Sequence, residues 1–290
     1  MSAPQTNLGG EPPGTLPPNL PSSLYHYTSI RGVEGILKAR AVWAPRLQFM
    51  NDSREWLYAL DLVKQALHKR GTRRTDEHWP SFIAQLAGSL WRIEGLFICV
   101  FSLTAMPNQL SQWRAYCPPE GGYNLKFQVD LLAPHLDRHN FQLRQCVYEF
   151  TEQERLIGIV VDEVLTLIGT ITDDNSIDSA VDSSITGFVQ RLPPVAAILK
   201  HPDFSEEQEW RATALVSSYD ERMEYRIKGS VAIPHCVLGL ESPSLPFPIT
   251  EITIGPNAYQ DLALTGLHAL IQRTKLPINV LKSTTPLRNL

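Results

Sequence analysis

The chain has 290 residues, 43% apolar and 19% charged, with a net charge of −4. This is the composition of a globular protein with a sizeable core, and it excludes a global basic field that would gather nucleic acid. The four cysteines are scattered and form no Cys-x-x-Cys pair, which excludes metal-thiolate spacing; no run resembles a secretion signal or a membrane span, so a cytosolic protein with reduced thiols is expected.

Residues 1–22 hold six prolines and little that could enter a core, and read as a disordered leader. Order is expected from LYHYTS, with a strand over 24–27. SIRGVEGILKAR follows as a helix with Ile30, Val33, Ile36 and Leu37 on one face. AVWAP is a short strand ended by Pro45. NDSREWLYALDLVKQALHK opens a longer helix, with Asp52 and Glu55 in a capping-box pattern. Arg70, Arg73 and Arg74 read as its solvated end. A helix over 79–94 comes next, then LFICVFSLT as a continuously apolar central strand and NQLSQWRAY as a short helix.

GGYNLKFQVD alternates as a strand, and QLRQCVYEF reads as another. TEQERLIGIVVDEVLTLIG and residues 178–192 are helices, the second ended by Pro193 and Pro194. The last third is strand-rich: QEWRATALV, MEYRIKGS, HCVLGL, EITIGP and INVLK, with a helix over 258–272. The predicted architecture is a single α+β domain over 23–290 with mixed, mainly antiparallel sheets. Helical insertions fall at about 52–95 and 151–200.

The stretch SEEQEWRATALV alternates so that Glu207, Glu209 and Arg211 share a strand face opposite Trp210. Same-face neighbours sit about 7 Å apart, within reach of one small ligand, and Arg211 can orient a carboxylate through a bidentate pair. The competing reading is a helix start in which the glutamates favour the dipole. A second cluster is Tyr25, His26, Tyr27 and Thr28 at a strand end. A third is Ser111, Gln112, Trp113 and Tyr116, where Trp113 and Tyr116 share a helical face as a stacking wall or as core. Asp52 with Glu207 and Glu209 offers a metal-dependent nuclease. His135 and His139 have helical spacing but no further ligands.

The order LYHYTS, VWAP, NDSRE, VFSLT, LSQWRAY, GGYNLKF, VYEF, EQEWR and ITIGP resembles the bacterial family known as domain of unknown function 2971. The opening LYHYTSIRGVEGILKARAVWA also resembles ADP-ribosyltransferase-fold proteins, including DNA-targeting toxins. That second resemblance implies NAD as substrate, no metal, and a nucleic-acid or protein acceptor, in a toxin, effector or phage-defence role. It implies that His26 holds a ribose hydroxyl with Tyr27 and Thr28 beside it. It likewise implies that Ser102 lies on a serine-bearing strand and that Glu209 is catalytic, with Glu207 as the second carboxylate of a Glu-x-Glu pair. Trp113, Tyr116 and Arg211 complete the expected NAD contacts, with Tyr116 and Tyr123 both open as the stacking tyrosine. The alternative is a non-catalytic nucleotide- or protein-binding module.

Overall fold

The computed structural model describes residues 19–50, 55–71, 77–118, 121–168, 171 and 174–285. Its main sheet has seven strands in the order β10-β9-β4-β1-β3-β6-β5. These are β1 Ser23–Thr28, β3 Ile98–Thr104, β4 Tyr123–Gln128, β5 Gln142–Gln145, β6 Glu209–Leu215, β9 Ile249–Ile254 and β10 Asn279–Lys282. Every pairing is antiparallel except β10 with β9. A second, three-stranded antiparallel sheet has the order β2-β8-β7, formed by β2 Ala41–Pro45, β7 Met223–Lys228 and β8 Val231–Gly239. The α+β architecture with mainly antiparallel sheets is as expected.

β3 explains the arrangement. Its alternate residues Cys99, Phe101 and Leu103 enter one core with Phe127, Trp210 and Leu238. Ile98 and Val100 enter another, built from helices. A strand covered on both faces has no polar face to alternate with, so it reads as one apolar run. The helical core comes from α2 Glu55–Gly71, α3 Trp79–Ser89, α6 Phe150–Thr166, α7 Asp174–Arg191 and the single turn α8 Pro193–Ala196. The two predicted insertions therefore form one layer. They are joined at its surface by Lys69–Glu154, Arg70–Asp162, Gln85–Asp178 and Arg92–Asp182. Arg70, expected in a solvated basic end, is tied into that layer; Arg73 and Arg74 lie outside the described residues.

Four expectations need correction. Order begins before LYHYTS: Leu20 packs on the sheet core and the Ser22 carbonyl accepts from Val129 N, while residues 1–18 lie outside the described residues. The strand predicted through Asp130 stops at Gln128, where α5 Val129–Arg138 begins despite Pro134. QLRQCVYEF is a strand only over Gln142–Gln145. Glu207 is not on the strand of Glu209: it ends a 3-10 turn, Pro202–Glu207, and Gln208 takes the left-handed conformation at φ 42° before β6 starts. The capping box at Asp52 falls outside the described residues. Among those described, no helix is long and apolar enough to cross a membrane.

Candidate functional site

A cleft of about 480 Å³ opens where β1 and β3 part. Their one registered pair among the described residues is Tyr25 with Thr104. β3 stays paired with β6, Thr104 facing Glu209 and Ser102 facing Arg211. Residues directly opposite share a face, so Tyr25, Thr104, Ser102, Glu209 and Arg211 lie on one side of the sheet. His26 is on the other side, its ring 5.0 Å from that of Phe101. Both sides meet the cleft because β1 has separated from β3, and the His26 ring fills the gap. Its Nδ1 lies 3.0 Å from the Ser102 carbonyl oxygen. A carbonyl only accepts, so Nδ1 carries the proton and Nε2 of the neutral ring is an acceptor. Burial holds the His26 pKa below its ordinary 6.5, outweighing that hydrogen bond.

The cleft floor is a charged network. Arg211, fully buried, donates from Nε to Glu209 Oε1 at 3.0 Å and from Nη2 to Glu209 Oε2 at 2.9 Å. It also reaches Glu55 Oε1 at 2.9 Å and the Ala197 carbonyl at 2.9 Å. Lys200 Nζ bridges Glu207 Oε2 at 2.5 Å and Glu209 Oε2 at 2.7 Å, and sits 5.1 Å above the Phe204 ring. Tyr116 donates its hydroxyl to Glu207 Oε1 at 2.9 Å. Three carboxylates thus face two cations.

Burial would raise the Glu209 pKa, but Arg211 and Lys200 override it and hold the carboxyl down at about 2. Burial pushes the Glu55 carboxyl up, partly countered by Arg211. Burial opposes the Lys200 charge, yet Glu209 and Glu207 raise its pKa overall. Tyr116 is raised by burial and then by Glu207.

Local structure sets these groups in place. The Lys200 carbonyl accepts from Gln153 Nε2 at 2.7 Å, and the Lys200 amide donates to the Val147 carbonyl. Tyr58 donates to Gln153 Oε1, so α2 and α6 jointly hold the lysine. The Glu209 amide donates to the Tyr148 hydroxyl at 2.9 Å. Glu55 Oε2 lies 2.8 Å from Arg211 Nη1, whereas the buried Ser102 Oγ on the cleft wall has no hydrogen-bond partner among the described residues. Such an atom is costly unless a ligand or water meets it.

Of the predicted residues, His26, Tyr27, Ser102, Tyr116, Glu207, Glu209 and Arg211 line this cleft. Tyr27 does so with its ring, while its hydroxyl, pushed up to about 12 by burial, bonds Met106 O and Gln109 N. Trp113 and Thr28 do not reach it. Trp113 packs edge-on against Tyr27 at 4.7 Å and closes over Gly255. The Thr28 side chain abuts Gly32 in α1 Ile30–Ala39. Tyr123 is core, so Tyr116, on α4 Leu110–Tyr116, is the tyrosine at the cleft. Asp52 lies outside the described residues. Among those described, no three His, Cys, Asp or Glu side chains are set to hold a metal ion.

Sequence reasoning missed Lys200, the place of Glu55 in the charged network, and Arg226, which also lines the cleft. A lysine ending the apolar run PPVAAIL was the available signal for the first, since lysine is almost never fully buried unless paired.

Fold and site together define an α+β protein whose strand-splay cleft sets a neutral histidine beside a buried carboxylate–cation network. A family model described as Protein of unknown function (DUF2971) matches residues 112–212, which carry Gln112, Tyr116, Lys200, Glu207, Glu209 and Arg211. No curated protein matches the chain, and no solved structure does.

Proposed function

We propose that the cleft binds NAD as a substrate and transfers its ADP-ribose to a macromolecular acceptor. The observation that carries this reading is convergence: His26, Tyr116 and the Glu207–Glu209 pair, far apart in the chain, line one cleft. His26 Nε2 accepts a ribose hydroxyl, and Ser102 Oγ, unpartnered among the described residues, meets a polar ligand atom.

In the reaction the bond between ribose C1′ and the nicotinamide nitrogen breaks, and its electron pair leaves with nicotinamide. Positive charge develops on the ribose ring, as in glycoside hydrolysis, and a preorganised carboxylate stabilises it. The acceptor nucleophile then bonds to C1′ and gives its proton to a carboxylate. Glu207 is assigned that contact. It is the less buried of the two and holds only Tyr116 and Lys200. Glu209 has both oxygens engaged by Arg211 and Lys200, and acts as a positioning residue.

That saturation also favours a second reading, a nucleotide-binding module without catalysis. Incubation with NAD labelled in its adenylate part, with and without cell extract, separates the two. Glu207→Gln should abolish release of nicotinamide while leaving NAD affinity within about threefold, since one hydrogen bond is kept. Turnover unchanged in that variant refutes the assignment, and binding without turnover in the natural protein establishes the second reading.

A further inference from the structure

All but one of the cleft's lysine and arginine side chains are already engaged. Lys200 is held by Glu207 and Glu209, and Arg211 by Glu209 and Glu55. Arg226, on the edge strand β7, lines the same cleft and makes no ion pair among the described residues. Register explains how it gets there. Arg226 lies opposite Ile233, Glu224 opposite His235, and Trp43 opposite Val237. With a period of two, Arg226, His235 and Trp43 share one face of the small sheet. Trp43, about half exposed, rests on His235 with ring centroids 4.5 Å apart. Glu224, on the same face, is 3.9 Å from His235 Nε2.

The cleft is therefore polarised. Its floor carries three carboxylates against two cations. Its roof is lined by the unengaged guanidinium of Arg226 and, from the opposite edge strand β2, by the exposed indole of Trp43, whereas Glu224 does not line the cleft. A ligand that is cationic at one end and anionic in the middle fits in one direction only, with its anionic part at the roof. Guanidinium has the planar fork that matches two phosphate oxygens, and an exposed indole offers a stacking surface to a base.

We propose that Arg226 is a diphosphate anchor. On this assignment the cleft takes a nucleoside diphosphate with its phosphates under β7 and its base toward Trp43. The proposal deepens the NAD reading and rests on it for the identity of the natural ligand. It does not need NAD cleavage to be tested.

The experiment is calorimetric titration of the full chain with ADP, ADP-ribose and adenosine, for the natural protein, Arg226→Ala and Arg226→Lys. The natural protein should bind ADP more tightly than adenosine. Arg226→Ala should weaken ADP and ADP-ribose by about 10- to 100-fold, the range for a hydrogen bond to a charged group. Adenosine should change by less than about twofold, and Arg226→Lys should recover part of the loss. Arg226 is exposed, so the variants should melt with the natural protein.

ADP binding no tighter than adenosine, or ADP affinity indifferent to Arg226→Ala, overturns the anchor. NAD cleavage is read separately. Arg226-dependent ADP binding without NAD cleavage upholds the anchor and refutes the transfer reaction, and NAD cleavage with ADP-ribose binding indifferent to Arg226 does the reverse.

Discussion

Replacing Glu209 by glutamine keeps the shape of the side chain and removes its charge from beneath Arg211 and Lys200. Its carboxyl is held at about 2, against an ordinary 4.5. At about 1.4 kcal/mol for each tenfold change in proton affinity, that gap corresponds to about 3 kcal/mol of folding stability. A second route agrees. Removing one partner of a buried ion pair costs about 3–5 kcal/mol, because the other charge is left uncompensated. Glu209 is 5% exposed, so solvent screening removes little of this.

The sign follows from the direction of the shift. A depressed carboxyl stabilises fully above its unfolded value near 4.5, and that contribution is lost as pH falls through about 2. Urea unfolding followed by tryptophan fluorescence should therefore show Glu209→Gln less stable by about 3 kcal/mol at pH 7. The deficit should shrink below pH 4.5. A variant within about 1 kcal/mol of the natural protein at pH 7, or a deficit that persists undiminished at pH 3, would refute the reasoning.

Two further outcomes are expected. Burial lowers the His26 pKa, so the folded chain binds fewer protons there than the unfolded chain, and stability rises with pH through the ordinary histidine range. His26→Gln should flatten the rise in melting temperature between pH 5.5 and 7.5. An unchanged slope contradicts a His26 pKa lowered by folding. Gly255→Ala sets a new Cβ 2.7 Å from Trp113 Cζ3 and 3.0 Å from the Gly122 carbonyl oxygen. The overpacking should cost about 1–3 kcal/mol in urea unfolding; a neutral substitution would mean that Trp113 is free to move.

The residues most legible from the chain were those whose evidence is local. Period-two alternation placed Trp210 in the core and put Glu209 and Arg211 together on the opposite face, because alternation is a property of one strand. The apolar period placed α1, α2 and α6 within a few residues. Local pattern misjudged Glu207: the alternation ran unbroken through a left-handed Gln208 that ends it. It also passed over α5, where Pro134 interrupts the helical signal.

Residue identity alone determined that carboxylates, an arginine and a histidine with aromatic neighbours were available. Only the tertiary structure decided which of them meet. Glu55 and Arg211 are 156 positions apart, and they touch because the fold brings the first residue of α2 to the Arg211 side chain of β6. Lys200 enters the network because Val147 and Gln153 hold its backbone in place. His26 reaches the cleft because β1 leaves β3 after a single pair. Each of these depends on pairings between distant segments. Such pairings are fixed by burial of both sheet faces together and leave no periodic trace in any one segment.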